Sequence, residues 1–285
     1  MEASAAAGPA PAVPVAAPTS EPLRMLRRRG LHPTLSARDL PLPRDAGSAL
    51  EAALAERLRH YAFRLFLRGA ILRPAGFSPG EATRYVPAAR ARAYAEDLVG
   101  LGLAERRPRG RYRLLHRARS FGGTLEWWLA RELRERLALE VEMGVRSGAP
   151  GVGGDLDLVA SAEGKLLYLE LKSSPPKHLM PVEVRSFLRR VRAVRPDVAF
   201  LAVDTALRLS DKVVPLVREA LTAEGAVAPT PRRVVRETWS LGPHLYLVNA
   251  REDLVDNLCR AVADGLRALA PDILRPTRGP SSDLP

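Results

Sequence analysis

The stretch GGDLDLVASAEGKLLYLELKSS, Gly153 to Ser174, reads as two short strands joined by a turn. Both alternate with period two. Leu156 and Leu158 oppose Asp155 and Asp157 in the first, and Leu167, Leu169 and Leu171 oppose Tyr168, Glu170 and Lys172 in the second. The pattern predicts one greasy face and one face carrying two Asp, a Glu and a Lys. Ala162-Glu163-Gly164 supplies the reversal, so antiparallel pairing brings Asp157 toward Glu170 and Lys172.

Clustered carboxylates repel one another unless a positive charge lies between them. A hard divalent cation, Mg²⁺ (or Mn²⁺), held by carboxylates and waters answers that need. Such an ion polarises a phosphoryl oxygen and lowers the pKa of bound water, while a neighbouring lysine offsets charge on the phosphate. This is the chemistry of phosphodiester hydrolysis.

The stretch resembles the PD-(D/E)XK nuclease superfamily, in which an Asp near the start of one strand is followed by Glu-x-Lys on the next. Gly-Gly-Asp-Leu-Asp-Leu-Val-Ala is most similar to its Holliday-junction resolvase and exonuclease branches. The resemblance implies Asp157 and Glu170 as metal ligands, 13 positions apart, Lys172 as the catalytic lysine, and the Leu171 carbonyl as a further ligand. Asp155 is expected to assist Asp157 or substitute for it. In the resolvase-like families a Glu on the first helix approaches the metal, and Glu126 matches it. The chain departs from one exonuclease branch, because it has no glutamine for that branch's Gln-x-x-x-Tyr element.

The bland alternative is a surface hairpin with a solvated charged face. Composition speaks against it. Of 44 Lys and Arg only four are lysines, Lys165, Lys172, Lys177 and Lys212, so a chain that writes cations as Arg has little reason to place a surface Lys at 172.

At 285 residues and 46% hydrophobic content the chain predicts about two domains. A net charge of +12 points to a polyanionic partner, nucleic acid before an anionic membrane surface. Cys259 is the single cysteine, the five histidines are scattered, and no His/Cys grouping has zinc spacing. No apolar run approaches the roughly 20 residues of a membrane helix. Residues 1–47, rich in Ala and Pro, match neither a secretory signal nor a transit peptide and read as a disordered tail with a basic patch at Arg24, Arg27, Arg28 and Arg29. Localisation defaults to the cytoplasm.

Residues 48–119 read as a small, mainly α module. Ser48 is placed to cap a long helix through Phe66, Ser78-Pro79 opens a short one, and a third carries Tyr94, Leu98 and Leu101 inward until Gly102. LAERRPRGRYRLLH then reads as two strands about a Pro-Arg-Gly turn. The order is similar to a winged helix-turn-helix, which implies DNA contact by Arg90 and Arg92 on the recognition helix and by Arg106, Arg107, Arg109, Arg111 and Arg113 on the wing. Between 84 and 119 ten Arg face three acids, which is +7 of the chain's +12. The alternative is a protein-docking module with a solvated arginine face.

Residues 120–270 read as the nuclease-like domain. Glu126, Ala130, Leu133 and Leu137 align on one helix face, so this acid lies in a buried stripe, and a lone acid there needs a partner. A capping or salt-bridging Glu is the alternative. After a strand at 139–145 and the hairpin, Pro181 starts a helix with the apolar stripe Val184, Phe187, Leu188, Val191 and Val194. A second stripe, Arg185, Arg189 and Arg192, is placed to track a substrate backbone or is simply solvated. A buried strand at 198–203 follows, then a helix near 211–223, a strand at 245–249 and a helix from about 251 to 268. Residues 271–285 read as a flexible tail.

The fold expected is α/β: a restriction-endonuclease-like mixed sheet flanked by helices, preceded by a small winged-helix domain. The function expected is a metal-dependent nuclease acting on DNA. One alternative is a non-catalytic DNA-binding protein that keeps the nuclease fold as a scaffold; another is a regulator whose second domain senses a small ligand. A homodimer would suit double-strand cutting, although no residue points to one.

Overall fold

The computed structural model describes residues 20–37, 39–173 and 175–271. Its first elements overturn part of the tail expected over 1–47. Helix α1 (Glu21–Arg28) and strand β1 (Pro33–Leu35) are formed, and Leu23, Leu26 and Leu31 are buried. Two leucines three residues apart share one side of a two-turn helix, enough apolar surface to dock it. Residues 1–19 and 272–285, the rest of the two expected tails, lie outside the described residues.

The next segment also differs from expectation. Instead of one long helix there are two, α2 (Ser48–Leu58) and α3 (Tyr61–Ile71), with Gly47 rather than Ser48 at the N-cap. The break has a physical cause. It leaves the carbonyls of Leu58 and Arg59 unpaired, and the guanidinium of Arg64 donates to both, at 2.7 and 3.2 Å. Ser78 and Glu81 then make the expected cap, a reciprocal capping box opening α4 (Pro79–Ala82). Helix α5 (Ala88–Gly100) buries Ala91, Tyr94, Ala95 and Leu98, and Gly102 turns at φ 69° to end it. Strands β2 (Ala104–Arg107) and β3 (Arg111–Leu114) close the module as an antiparallel ribbon.

Helix α6 (Gly122–Leu137) leads into β4 (Glu140–Ser147), β5 (Asp155–Ala162) and β6 (Lys165–Lys172). The reversal between β5 and β6 takes two residues, Glu163 and Gly164, both at positive φ, with Ala162 opposite Lys165. Helix α7 (Pro181–Val194) crosses to β7 (Val198–Val203), so the predicted order of helix, three strands, helix and strand is observed. Helix α8 (Val213–Ala223) and an unforeseen hairpin, β8 (Arg232–Val235) with β9 (Thr238–Ser240), precede β10 (Leu245–Asn249) and α9 (Leu254–Leu269).

Eight strands form one mixed sheet in the order β1-β4-β5-β6-β7-β10-β9-β8, parallel at β6-β7 and β7-β10 and antiparallel elsewhere. Helices cover both faces. Trp127, Trp128 and Leu129 of α6 and Leu258 and Val262 of α9 pack on one, in a core continuous with that of the N-terminal helices. Leu26, Phe187 and Val217 pack on the other. Trp127 and Trp128 are thus packing groups. No helix among the described residues is long and apolar enough to cross a membrane.

Candidate active site

Strand alternation fails at one place, and the acids gather there. Val159 and Leu156 pack on one face of the sheet while Leu158 packs on the other, so the expected single greasy face of β5 is broken between 156 and 158. The partner strand slips too: Met143 and Val145 lie on opposite faces about Gly144, whose φ is +58°. The register skips Gly144 and Asp157: Met143 pairs with Leu158 and Val145 with Leu156, with those two residues between them. A residue with a Cβ would be strained at that φ and would sit 3.3 Å from the Cβ of Ser36.

Beyond Leu158 and Leu169 the ladder between β5 and β6 stops, and the Asp157 side chain fills the fork. Its Oδ2 accepts the amide of Leu171 at 2.6 Å. The carbonyl of Lys172 accepts the amide of Asp204, on the β7 side. Since strand residues alternate in the side to which N–H and C=O point, the Leu171 carbonyl faces the β5 side with its amide. That is where a carbonyl ligand was expected.

Glu170 is 3% exposed and its oxygens are engaged. Oε1 accepts Nη2 of Arg190 at 2.7 Å and lies 3.1 Å from Nζ of Lys172, and Oε2 accepts the Tyr168 hydroxyl. Lys172 also meets Glu183 at 3.3 Å. Burial works to lower the lysine's pKa, but the Glu170 and Glu183 carboxylates outweigh it and hold the ammonium charged. Arg190 further donates to Tyr168 Oη at 3.0 Å and to the Gly153 carbonyl at 3.2 Å.

Glu126 approaches the fork from α6, on the face opposite Tyr168, and has no ion-pair partner among the described residues. Burial first, then the charges of Asp155 and Glu170, push its carboxyl up to about 7. Asp157 is raised by burial and by the Glu170 and Glu126 charges. Asp155 behaves differently and corrects an expectation. Arg146 grips it at 2.7 and 3.2 Å and Ser36 Oγ donates at 3.0 Å, which holds it below the usual carboxylate range. Asp155 thus keeps its charge beside the fork, paired with Arg146, and that charge helps to raise Glu126. The four charged groups therefore do not share one face; they straddle the end of the sheet.

Glu126 carries a stability cost with a defined sign. Below the ordinary Glu pKa both states are protonated and the cost is absent. As pH rises toward 7 the unfolded chain releases its proton while the folded one keeps it, so stability falls with pH, by up to about 3 kcal/mol above pH 7. Glu126→Gln should raise the melting temperature at pH 8 in chelator and leave it unchanged at pH 4; equal gains at both pH values would contradict the assignment.

Asp157, Glu170, Glu126 and the Leu171 carbonyl are all hard oxygens, and two of the carboxyls are short of countercharge, so atom type and charge fit Mg²⁺ or Mn²⁺. Among the described residues no three such side chains converge as a ready cage, because Glu170 is turned to Arg190, Lys172 and Tyr168.

The expected nucleic-acid residues divide in two. Arg106 pairs with Glu96, Arg107 and Arg113 with Glu105, and Arg111 with Glu81, so these wing charges are largely compensated. Arg90, Arg92 and Arg109 are exposed without an ion pair among the described residues. Arg185 and Arg189 are exposed on α7, where Arg189 donates to Ser186 Oγ, while Arg192 pairs with Glu224.

Arg190 and Glu183 were missed by the sequence reading. Their signal was available: Glu183, Phe187, Arg190 and Val194 recur at four, three and four, in line with two buried residues. A cavity of about 650 Å³ between Leu137, Ser161, Gly164 and Val262 lies at the other end of the strands, and no carboxylate of the fork lines it.

No family model matches this sequence, and no curated protein matches it. Among solved structures the chain is similar to protein VC1899 from Vibrio cholerae, with 13% identity over 86% of this chain and 62% of that one and a TM-score of 0.49. It is similar also to Can2 from Sulfobacillus thermosulfidooxidans, solved in complex with cyclic tetra-adenylate, with 14% identity over 85% and 60% and a TM-score of 0.48. The chain thus spans about three fifths of the length of each.

Proposed function

We propose that the protein is a metal-dependent nuclease that hydrolyses phosphodiester bonds in DNA, of the PD-(D/E)XK type. One observation carries this reading: at the carboxyl end of β6, Asp157 is bonded to the Leu171 amide at 2.6 Å between Glu170 and Lys172, whose ammonium lies 3.1 Å from Glu170. Asp157, Glu170 and the Leu171 carbonyl would hold Mg²⁺ or Mn²⁺, which when bound supplies Lewis acidity and a more acidic water. In the hydrolysis, water oxygen bonds to phosphorus, the bond to one sugar oxygen breaks, and that oxygen leaves with a proton. Glu126, whose carboxyl burial pushes up and which has no ion-pair partner among the described residues, is the group left to accept the proton that the attacking water loses. Lys172 faces the negative charge that builds on the phosphoryl oxygens.

The N-terminal module delivers the substrate as a winged helix, through Arg90, Arg92 and Arg109. Replacing Arg90 and Arg92 together should weaken DNA binding and lower the slope of log affinity against log salt by about one per arginine. Turnover at saturating DNA should stay near wild type. Unchanged binding would move the DNA surface elsewhere.

A second reading, a DNA-binding scaffold without catalysis, is favoured by the saturation of Glu170 by Tyr168, Arg190 and Lys172. Melting with and without millimolar Mg²⁺ or Mn²⁺, alongside cleavage of plasmid, linear and branched DNA, separates the two. A nuclease gains melting temperature through ion binding to the folded state and breaks strands; a scaffold does neither.

A further inference from the structure

Arg190 holds an unusual place. It projects from α7 into the fork and spans three groups: Glu170 Oε1 at 2.7 Å, Tyr168 Oη at 3.0 Å and the Gly153 carbonyl at 3.2 Å. Its side chain is 12% exposed. Tyr168 closes the ring by donating to the other oxygen of Glu170. The result is uneven compensation. Glu170 has two cations on one oxygen, whereas Glu126 has none among the described residues.

We infer that Arg190 is a resident countercation that competes with the divalent ion for Glu170, so that the ion binds weakly until substrate phosphate arrives to take the guanidinium. This rests on the reading of Asp157 and Glu170 as ion ligands. The chemistry follows from charge. A dication beside Glu170 meets repulsion from a guanidinium already 2.7 Å from the same oxygen. Once turned from Oε1, that guanidinium keeps its acceptors at Tyr168 and Gly153 and has donors free for an anion. A phosphodiester brings the anion, and guanidinium matches its oxygens. Ion and substrate therefore bind with positive coupling, and idle loading with metal is suppressed.

The test measures Mn²⁺ binding by titration calorimetry without DNA, then DNA affinity in Ca²⁺, for wild type, Arg190→Gln, Arg190→Lys and Tyr168→Phe. Arg190→Gln should bind Mn²⁺ roughly tenfold more tightly and DNA more weakly, while Arg190→Lys, which keeps the charge, stays near wild type for Mn²⁺. Tyr168→Phe, which removes one acceptor from the guanidinium, should shift Mn²⁺ the same way by less, and it decides the matter if Arg190→Gln does not fold. A structural strut would behave otherwise: its loss weakens ion and DNA binding together. Mn²⁺ binding unchanged or weakened in both Arg190→Gln and Tyr168→Phe overturns the inference. If wild type binds no Mn²⁺ even with DNA present, the nuclease reading fails by itself. Binding gained by Arg190→Gln would still uphold the competition, and silence in both proteins would overturn it.

Discussion

Lys172→Ala is expected to lose two or more orders of magnitude in cleavage rate while keeping its fold and DNA affinity. The rate loss follows from charge on the phosphate. A preorganised cation there contributes several kcal/mol to the transition state, and about 1.4 kcal/mol is tenfold in rate. The fold should survive because Glu170 keeps Arg190 and Tyr168 when the ammonium is gone. Lys172→Arg should fail as well. The Glu170 carboxylate already receives one guanidinium, and a second is bulkier than the ammonium that sits 3.1 Å from Oε1 and 3.3 Å from Glu183. Rates are read from initial strand breakage at saturating DNA, and turnover near wild type with Arg at 172 would remove this lysine from the chemistry.

Asp204→Ala is expected to destabilise the protein by about 3–5 kcal/mol. Asp204 follows β7 and is 1% exposed; its oxygens meet Arg64 at 2.9 Å and Arg68 at 3.1 Å, both from α3. Arg64 is itself 1% exposed and stacks over Trp128, 4.9 Å from the ring centroid. Removing the carboxylate leaves a guanidinium in the core without countercharge, and the Leu58 and Arg59 carbonyls offset only part of its desolvation. The midpoint of thermal unfolding should fall by roughly 10 °C. Since this triad joins the N-terminal helices to the sheet, loss of less than about 1 kcal/mol would mean that the two parts are held by apolar packing alone.

Much of this was legible from local pattern. The Glu163-Gly164 turn, the order of elements from Gly122 to Val203 and the meeting of Asp157 with the end of β6 all follow from local spacing. What failed has one cause in each case. Alternation predicts a face only while the ladder is regular, and the slip at Gly144 and Asp157 is a property of two strands together. Asp155 reads as a ligand until Arg146, across the ladder, and Ser36, from an unforeseen edge segment, reach it. No local pattern marks Asp204, because its partner Arg64 is 140 positions away. The β8-β9 hairpin is short and rich in arginine, so it carries too little apolar alternation to stand out.

The most direct test of the account is the rate of DNA strand breakage by wild type and by Asp157→Asn, each with Mg²⁺ and with chelator. Asp157→Asn keeps an oxygen for the Leu171 amide while removing the charge that an ion needs, so folding is preserved. The account predicts breakage by wild type that requires Mg²⁺ or Mn²⁺ and falls at least a hundredfold in the variant. Breakage that persists in chelator or in Asp157→Asn, or none from wild type on any DNA with either ion, would contradict it.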